Sequence, residues 1–410
     1  MAYGKVRLNF CIRRNFKLKW IDNKHRVRKY LGNHSDIVRV SQLVKRYHET
    51  IPKYVATPLY RLNQLSEHFG VGNIFLKDES SRFNLQAFKV LGATYAIGKY
   101  IAERIDEDFQ QMTFEKIRQA KDIIGELTFI SATDGNHGRG VAWAAKQLGH
   151  RAIIYLPKGA SHLRVNHIRR LGAEAYVTDM NYDETVEYCA KRAEENNWVF
   201  VQDTASFGYE KLPRWIMEGY RTIAVEIVDS LGEKRPTHIF LQAGVGSFAA
   251  SMVQFFLEYY GDDELKIILV EPHAANCFYQ SACHQDGEAQ IVTGDLLTIM
   301  AGLSCGKPNP VAWNVLKDTV DYFISAPDEI AAQGMRILGQ PLDKDPRIIA
   351  GESGAAPFGA FTEIIRNDKY VSLREQLSLN IEANILFINT EGNTDPVQYE
   401  RITWDGMFSM

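Results

Sequence analysis

Residues 80–96 read SSRFNLQAFKVLGATYA, with Lys89 between the apolar side chains of Phe88 and Val90 at the start of a predicted helix. Lysine is rarely buried, and the ordinary interpretation is a surface lysine whose stem lies on the core. In a buried setting, desolvation and the positive end of the helix dipole both favour the neutral amine. A neutral lysine amine is a nucleophile that condenses with carbonyl groups. The other motifs of the chain decide between these two interpretations.

Composition and charge are ordinary for a soluble globular protein. The chain has 410 residues, which suggests two or three domains at about 150 residues each. Its content of 45% hydrophobic and 24% charged residues is ordinary for such a protein. The net charge of -3 gives no reason to expect nucleic acid or an anionic membrane surface as a partner. The apolar runs are all shorter than the roughly 18 residues of a transmembrane helix.

The cysteines indicate a reducing compartment. Cys11, Cys189, Cys277, Cys283 and Cys305 are too scattered for a disulfide framework, and none of them form a Cys-x-x-Cys pair. We therefore expect a cytoplasmic protein without a zinc or other metal site. The spacing leaves open whether Cys277 and Cys305 pair with each other.

The amino-terminal segment is basic. Its first thirty residues contain ten Lys or Arg and one acid, Asp22. That composition is typical of a transit peptide, but the segment lacks the serines such peptides carry. Residues 6–10 and 16–20 alternate between apolar and polar side chains, which favours strands and a structured segment.

Short apolar runs alternate with helical segments along most of the chain. We predict strands at 57–59, 74–78, 127–131, 152–156, 175–177, 199–201, 238–242, 266–270 and 385–389. We predict helices at 41–49, 62–69, 91–105, 140–148, 162–171, 182–195 and 219–231, with another between the strands at 238 and 266. This alternation predicts an α/β fold with open, twisted, mostly parallel sheets flanked by helices. Because the block from about 115 to 215 could form its own sheet and no linker precedes it, we predict a small domain at 111–215 inserted in a large domain at 1–110 and 216–410.

Three turns follow predicted strands, and the first reads SATDGNHG at 131–138. A turn there directs its residues into the crevice at the carboxyl ends of the strands. Asn136 can donate from its amide, and the negative charge of Asp134 is favourable beside a helix amino terminus. The alternative is an ordinary turn, since Asp, Asn and Gly are common turn formers.

The second turn reads QAGVGSFAA at 242–250. The backbone N–H groups around Gly244, Val245, Gly246 and Ser247 predict a phosphate nest at a helix amino terminus. The same residues fit Gly-x-Gly-x-x-Ala, with Glu271 where a ribose-binding acid would lie. A nucleotide-dependent dehydrogenase is therefore an open alternative.

The third turn reads NTEGNTD at 389–395, and its Thr390 hydroxyl could donate to or accept from a ring nitrogen without carrying a charge. Together, Lys89, the nest, Asn136 and Thr390 match pyridoxal 5'-phosphate. Its aldehyde, phosphate, O3′ and ring nitrogen need those four kinds of partner. We therefore predict that this cofactor is bound covalently to Lys89.

In this order the motifs resemble the fold-type II pyridoxal-phosphate enzymes, which include threonine and serine dehydratases, cysteine synthase and tryptophan synthase β. The resemblance covers residues 55–395. Where the dehydratases usually carry a small residue between Ser/Thr and Gly, this chain has Asp134. The stretches that resemble one branch of the family, which removes ammonia from 2,3-diaminopropionate, are KDES (77–80), NLQAFKVLG (84–92), ATDGNHGRGVAW (132–143), VQDTA (201–205), IMAGL (299–303) and GESG (351–354).

The resemblance implies an α,β-elimination that converts both D- and L-2,3-diaminopropionate to pyruvate and two ammonia, in a homodimer. It implies that Lys89 takes the Cα proton of the L isomer and Asp134 that of the D isomer. Asp203 would bind the distal ammonium or act with Asp134. A serine/threonine dehydratase is the alternative within the family, and a binding protein that kept the fold is a further one.

Overall fold

The computed structural model describes residues 17–27, 34–261 and 264–409. The strand predicted at 6–10 and Cys11 lie outside the described residues. Within them, the alternating stretch at 16–20 continues into a strand, β1, at Lys19–Asp22. Each described helix is too short or too polar to span a bilayer.

Eleven strands occur in the described residues. They are β1 (Lys19–Asp22), β2 (Leu59–Arg61), β3 (Asn73–Asp78), β4 (Thr128–Ala132), β5 (Arg151–Leu156), β6 (Glu174–Val177), β7 (Val199–Phe200), β8 (His238–Gln242), β9 (Lys266–Pro272), β10 (Tyr322–Ala326) and β11 (Asn384–Asn389).

Sixteen α-helices occur in the same ranges. They are α1 (His34–Glu49), α2 (Asn63–Phe69), α3 (Val90–Arg104), α4 (Phe114–Gln119), α5 (Lys121–Ile124), α6 (Asn136–Gln147), α7 (His162–Arg170), α8 (Tyr182–Asn196), α9 (Lys211–Leu231), α10 (Ser247–Tyr260), α11 (Cys277–Cys283), α12 (Pro310–Thr319), α13 (Asp328–Gly339), α14 (Glu352–Arg366), α15 (Val371–Leu377) and α16 (Pro396–Thr403).

Two sheets carry the fold, as the α/β prediction requires. The larger has the order β1-β10-β9-β8-β11-β3-β2, and the smaller has the order β6-β5-β4-β7. The smaller sheet is parallel throughout. In the larger sheet, the edge strands β1 and β2 run antiparallel to their neighbours, and the five strands between them are parallel. The domain boundaries at 111 and 215 stay a prediction.

Most predicted elements lie within a few residues of the observed ones, and three differences are informative. Helix α9 begins at Lys211 rather than 219, with Pro213 in its first turn, where a missing N–H breaks no helical hydrogen bond. The strand predicted at 57–59 lies two residues earlier in the chain than β2 at Leu59–Arg61. Strand β10 and the helices α4, α5 and α11–α16 were not predicted, although the YFISA run of β10 carries the apolar signal of a buried strand.

Close packing around helix α3 fixes the position of Lys89, which is the residue before that helix. A Cβ on Gly92 would come within 2.5 Å of Cε1 of Tyr220, so α9 approaches α3 at a distance that only glycine permits. On another side, a Cβ on Gly140 of α6 would lie 3.0 Å from the backbone of Val90. Helix α3 is therefore packed closely between α9 and α6.

A buried ion cluster anchors the chain between β3 and α3. The Lys77 ammonium lies 2.5 Å from Glu226, and the Arg82 guanidinium lies 2.8 Å from both Glu226 and Glu79. All four side chains are at most 1% exposed. The two positive and two negative charges are mutually paired. The cluster therefore connects the segment that precedes Lys89 to helix α9, which carries Glu226.

Candidate active site

The three turns and the Lys89 segment meet in one cleft with an empty volume of about 610 Å³. Each turn directly follows a strand: β4, β8 or β11. The parallel register of β11 with β3 and β8 brings their carboxyl ends to one edge of the large sheet. All the predicted site residues line the cleft: Lys89, Asp134, Asn136, Asp203, Gly244, Val245, Gly246, Ser247 and Thr390. The roles assigned to them stay predictions.

Lys89 is paired with a buried carboxylate. Its Nζ lies 2.6 Å from Oδ2 of Asp203, and the two side chains are 15% and 2% exposed. Burial lowers the pKa of Lys89, but the charge of Asp203 more than offsets this and raises the pKa above the ordinary value. The expectation of a neutral amine is therefore wrong for this contact. That expectation rested on desolvation and the helix dipole near Lys89, whereas the carboxylate comes from a loop 114 residues further along.

Asp203 is ionised in this pair and is held from two further sides. Burial alone would raise its pKa, but the charges of Lys89 and His137 lower it to about 2. Its backbone carbonyl accepts a hydrogen bond from the Ser247 hydroxyl at 2.5 Å. The Ser247 hydroxyl in turn accepts from the Asn309 amide at 2.8 Å. The side chain of Ser247 thus positions Asp203, and its backbone N–H is the group that can face a phosphate.

His137 is a neighbour of this pair to which the sequence assigned no role. Its Nε2 lies 3.0 Å from the carbonyl oxygen of Val201, and its Nδ1 lies 3.9 Å from Oδ2 of Asp203. Burial lowers the pKa of His137, although the Asp203 charge opposes that shift. The TDGNH motif (133–137) therefore also supplies packing beneath Asp203.

Asp134 lies at the tip of the turn after β4. The Thr133 hydroxyl holds this turn by accepting the N–H groups of Gly135 and Gly138 at 2.8 and 2.9 Å. A Cβ on Gly302 would lie 3.5 Å from Oδ2 of Asp134. The Asp134 carboxylate therefore lies in the cleft beside a backbone that has no side chain.

The turn after β8, where the sequence predicts a phosphate nest, depends on its glycines. Gly246 has φ +90° and precedes helix α10, and a Cβ there would overlap the ring of Phe278. A Cβ on Gly244 would lie 2.8 Å from the carbonyl oxygen of Gly302. Both positions need glycine, and the backbone N–H groups of this turn can converge on a phosphate.

Glu271 does not fit the dehydrogenase alternative. Its carboxylate accepts the backbone N–H groups of Phe278 and Tyr279 at 2.9 and 2.7 Å, and the residue is fully buried. Burial raises the pKa of Glu271 to about 8. A carboxyl group enclosed beneath α11 cannot bind a ribose, so this residue caps a helix.

Asn136 is joined to a residue that the sequence did not single out. Its Nδ2 donates to Oε2 of Glu391 at 2.6 Å, while the backbone N–H of Ser353 donates to Oε1 of Glu391 at 3.0 Å. Glu391 is 5% exposed and lines the cleft. The sequence feature that could have identified Glu391 as a site residue was its position directly after Thr390 in the third turn.

Thr390 is fixed through both its backbone and its side chain. Its carbonyl oxygen accepts the N–H of Phe88, the residue before Lys89, at 3.3 Å. Its hydroxyl oxygen accepts from Nε2 of Gln242 at 2.7 Å. Gln242 is the second cleft residue that the sequence did not single out as part of the site.

The residues present fit pyridoxal phosphate. The cleft contains a lysine amine for its aldehyde, a glycine nest in which a Cβ would not fit, and an uncharged hydroxyl for its ring nitrogen. The nest and the hydroxyl follow neighbouring strands, β8 and β11, and the Lys89 segment follows β3 on the other side of β11. One ring can therefore be held by all three.

The family model described as "Pyridoxal-phosphate dependent enzyme" matches residues 51–390. The chain therefore belongs to the pyridoxal-phosphate dependent enzymes, of fold type II. Within them, it is 48% identical over 373 residues to diaminopropionate ammonia-lyase of Salmonella typhimurium, covering 90% of this chain and 92% of the relative. By this similarity it belongs with the diaminopropionate ammonia-lyases.

A second relative and a solved structure agree. Diaminopropionate ammonia-lyase of Escherichia coli K12 is 46% identical over 397 residues, covering 96% of this chain and 98% of the relative. The crystal structure of the holo form of the Escherichia coli diaminopropionate ammonia-lyase superposes with a TM-score of 0.91 at 44% identity. It covers 96% of this chain and 98% of that one.

Proposed function

We propose that this protein is a carbon-nitrogen lyase that converts 2,3-diaminopropionate, as both D and L isomers, to pyruvate and two ammonia. The observation that carries the choice of substrate is the pair of carboxylates, Asp134 and Asp203, in a cleft with one lysine. A diamino acid brings a second ammonium group, and a buried carboxylate needs a cation as partner. Serine and threonine bring an uncharged hydroxyl group instead, which leaves the negative charge of the buried carboxylate unpaired.

In this proposal, Lys89 holds the cofactor, the backbone around Gly244 and Gly246 binds its phosphate, and Asn136 and Thr390 contact the ring. When bound, pyridoxal phosphate supplies an electron sink for the negative charge left by removal of the Cα proton. Asp203 loses its ammonium partner once Lys89 holds the cofactor. Its carboxylate then becomes available for the distal ammonium of the substrate.

Proton transfer is assigned to two residues. Once the 2-amino group of the substrate has displaced Lys89 from the cofactor, the freed Lys89 amine takes the Cα proton of the L isomer, and the Asp134 carboxylate takes that of the D isomer. The 3-ammonium group leaves as ammonia when its bond to the substrate carbon breaks and the bonding pair goes to nitrogen, and the released enamine reacts with water to give pyruvate and a second ammonia. Asp134 lines the cleft together with Lys89, which supports this role.

A substrate panel tests the proposal. Purified protein is given D- and L-2,3-diaminopropionate, D- and L-serine and L-threonine, and the keto acid and ammonia are measured separately. We expect pyruvate from both diaminopropionate isomers, with two ammonia for each pyruvate. Faster pyruvate release from serine than from either diaminopropionate isomer would instead make the protein a dehydratase.

The proposal includes a cytoplasmic homodimer with a small domain at 111–215. Four free cysteines in the described residues, Cys189, Cys277, Cys283 and Cys305, support a reducing compartment. The separate sheet of β4–β7 supports the small domain. Light scattering on the eluting protein measures the mass, and a monomer would contradict the dimer.

A further inference from the structure

Gln242, the last residue of β8, makes two hydrogen bonds with a single nitrogen. Its Nε2 donates to the carbonyl oxygen of Ile388 at 3.1 Å and to Oγ1 of Thr390 at 2.7 Å. The residue is 2% exposed. Both hydrogens of the amide group are therefore used, and both are directed at strand β11 and the turn that follows it.

The orientation of this amide group is fixed by Ile388. A backbone carbonyl oxygen only accepts hydrogen bonds, so the Gln242 atom that faces it must be the nitrogen. A flipped amide would place two acceptor oxygens against each other in a buried site. The observed orientation leaves Oε1 of Gln242 without a hydrogen-bond partner among the described residues, so the hydrogen bonds given for this amide group are the two that it donates.

This orientation sets the polarity of the Thr390 hydroxyl. One lone pair of its oxygen accepts from Gln242, and its single hydrogen remains to be donated. Among the described residues, no acceptor takes that hydrogen. Thr390 lines the cleft, and a hydroxyl group directed there as a donor matches an acceptor atom on the bound ring.

We propose that Gln242 is a positioning residue that makes the Thr390 hydroxyl a donor and so keeps the ring nitrogen of the cofactor unprotonated. The inference rests on the proposed function in one respect, the contact between Thr390 and the ring nitrogen. An uncharged ring withdraws electrons less strongly than a pyridinium. The negative charge left at Cα is therefore stabilised less by the ring, which favours departure of the 3-amino group. This suits an elimination.

The test is nitrogen-15 NMR of the protein loaded with pyridoxal phosphate labelled at the ring nitrogen. The informative variant is Gln242→Glu, which keeps the shape of the side chain. Its carboxyl group presents an acceptor to Thr390 whether it is ionised or uses its one hydrogen on Ile388. The hydroxyl then donates to that carboxyl group and offers a lone pair to the ring, which suits a protonated nitrogen.

A matched control is Gln202→Glu, since Gln202 is also fully buried but donates to Tyr182 at 2.9 Å and to Asp203 at 3.4 Å rather than to Thr390. We expect the wild-type resonance at the unprotonated pyridine position, a shift toward the pyridinium position in Gln242→Glu, and no such shift in Gln202→Glu. A pyridinium resonance in the wild type, or an unshifted one in Gln242→Glu, overturns the inference. A pyridinium resonance in the wild type overturns the inference even where the variant does not fold.

The two proposals fail in different ways. A wild-type protein with an unprotonated ring that releases no pyruvate from diaminopropionate would contradict the proposed function and leave the role of Gln242 intact. Pyruvate release together with a pyridinium resonance would do the reverse. A protein that binds no labelled cofactor would overturn both.

Discussion

Removing Asp203 from its pair with Lys89 should destabilise the protein far more than breaking a surface pair. The two groups lie 2.6 Å apart and are 2% and 15% exposed. Removing one member of a buried pair leaves the other charge unpaired, which costs about 3–5 kcal/mol. Asp203→Asn and Lys89→Met should therefore each lower the free energy of unfolding by about that amount. The double variant should lose much less than the sum, because neither charge remains.

The pH dependence gives the same pair a second signature. The pKa of Asp203 is lowered to about 2, from about 3.9 in an unfolded chain. A lowered carboxyl pKa contributes stability that is present above the unfolded value and lost as the pH falls through the folded one. The raised pKa of Lys89 contributes stability that is present below the unfolded value, about 10.4, and lost above it. The difference between wild type and Asp203→Asn should thus be largest from about pH 4 to 10.

The assay is urea unfolding followed by tryptophan fluorescence, on protein from which pyridoxal phosphate has been removed by dialysis. A cycle on Lys99 and Glu218, 3.0 Å apart and 26% and 22% exposed, is the control and should give at most about 1 kcal/mol. If the effects of the Lys89 and Asp203 substitutions add to within about 0.5 kcal/mol, the two charges do not interact and the reasoning fails.

Three further substitutions have clear expected outcomes. Asp134→Asn should lower kcat on D-diaminopropionate by about 10²–10⁴ while retaining activity on the L isomer, and loss on the L isomer would refute the assignment of two bases. Gly246→Ala should weaken pyridoxal phosphate binding by about tenfold or more in equilibrium dialysis, because the new Cβ overlaps Phe278. Gly70→Ala, with φ +67° and open space around it, is the control and should leave binding unchanged. Glu226→Gln should cost about 3–5 kcal/mol in urea unfolding, against about 1 kcal/mol or less for Glu218→Gln; equal effects would contradict the buried cluster.

The sequence predicted the fold and the four loops of the cleft because both depend on local patterns. Apolar runs of strand length followed by glycine-rich turns identify loops at the carboxyl ends of parallel strands, where ligands bind. The charge state of Lys89 could not be read in this way. It depends on Asp203, and only the tertiary fold shows that Asp203 lies within hydrogen-bonding distance. Gln242 and Glu391 act through contacts with residues that are distant in sequence. The residues next to them in the chain therefore do not indicate their hydrogen-bond partners.

The polar contacts of the cleft connect the two sheets. Lys89, Ser247 and Glu391 follow strands of the large sheet, whereas Asn136 and Asp203 follow strands of the small one. All three contacts between these groups cross from one sheet to the other: Lys89 with Asp203, Asn136 with Glu391, and the Ser247 hydroxyl with the Asp203 carbonyl. A cofactor that engages Lys89 and Asn136 must exchange two of these contacts for its own. Its measured affinity is then the difference between the bonds it forms and those it replaces. The Ser247 contact uses a backbone carbonyl and can persist through that exchange, which keeps the Asp203 loop next to the phosphate nest while its carboxylate changes partner.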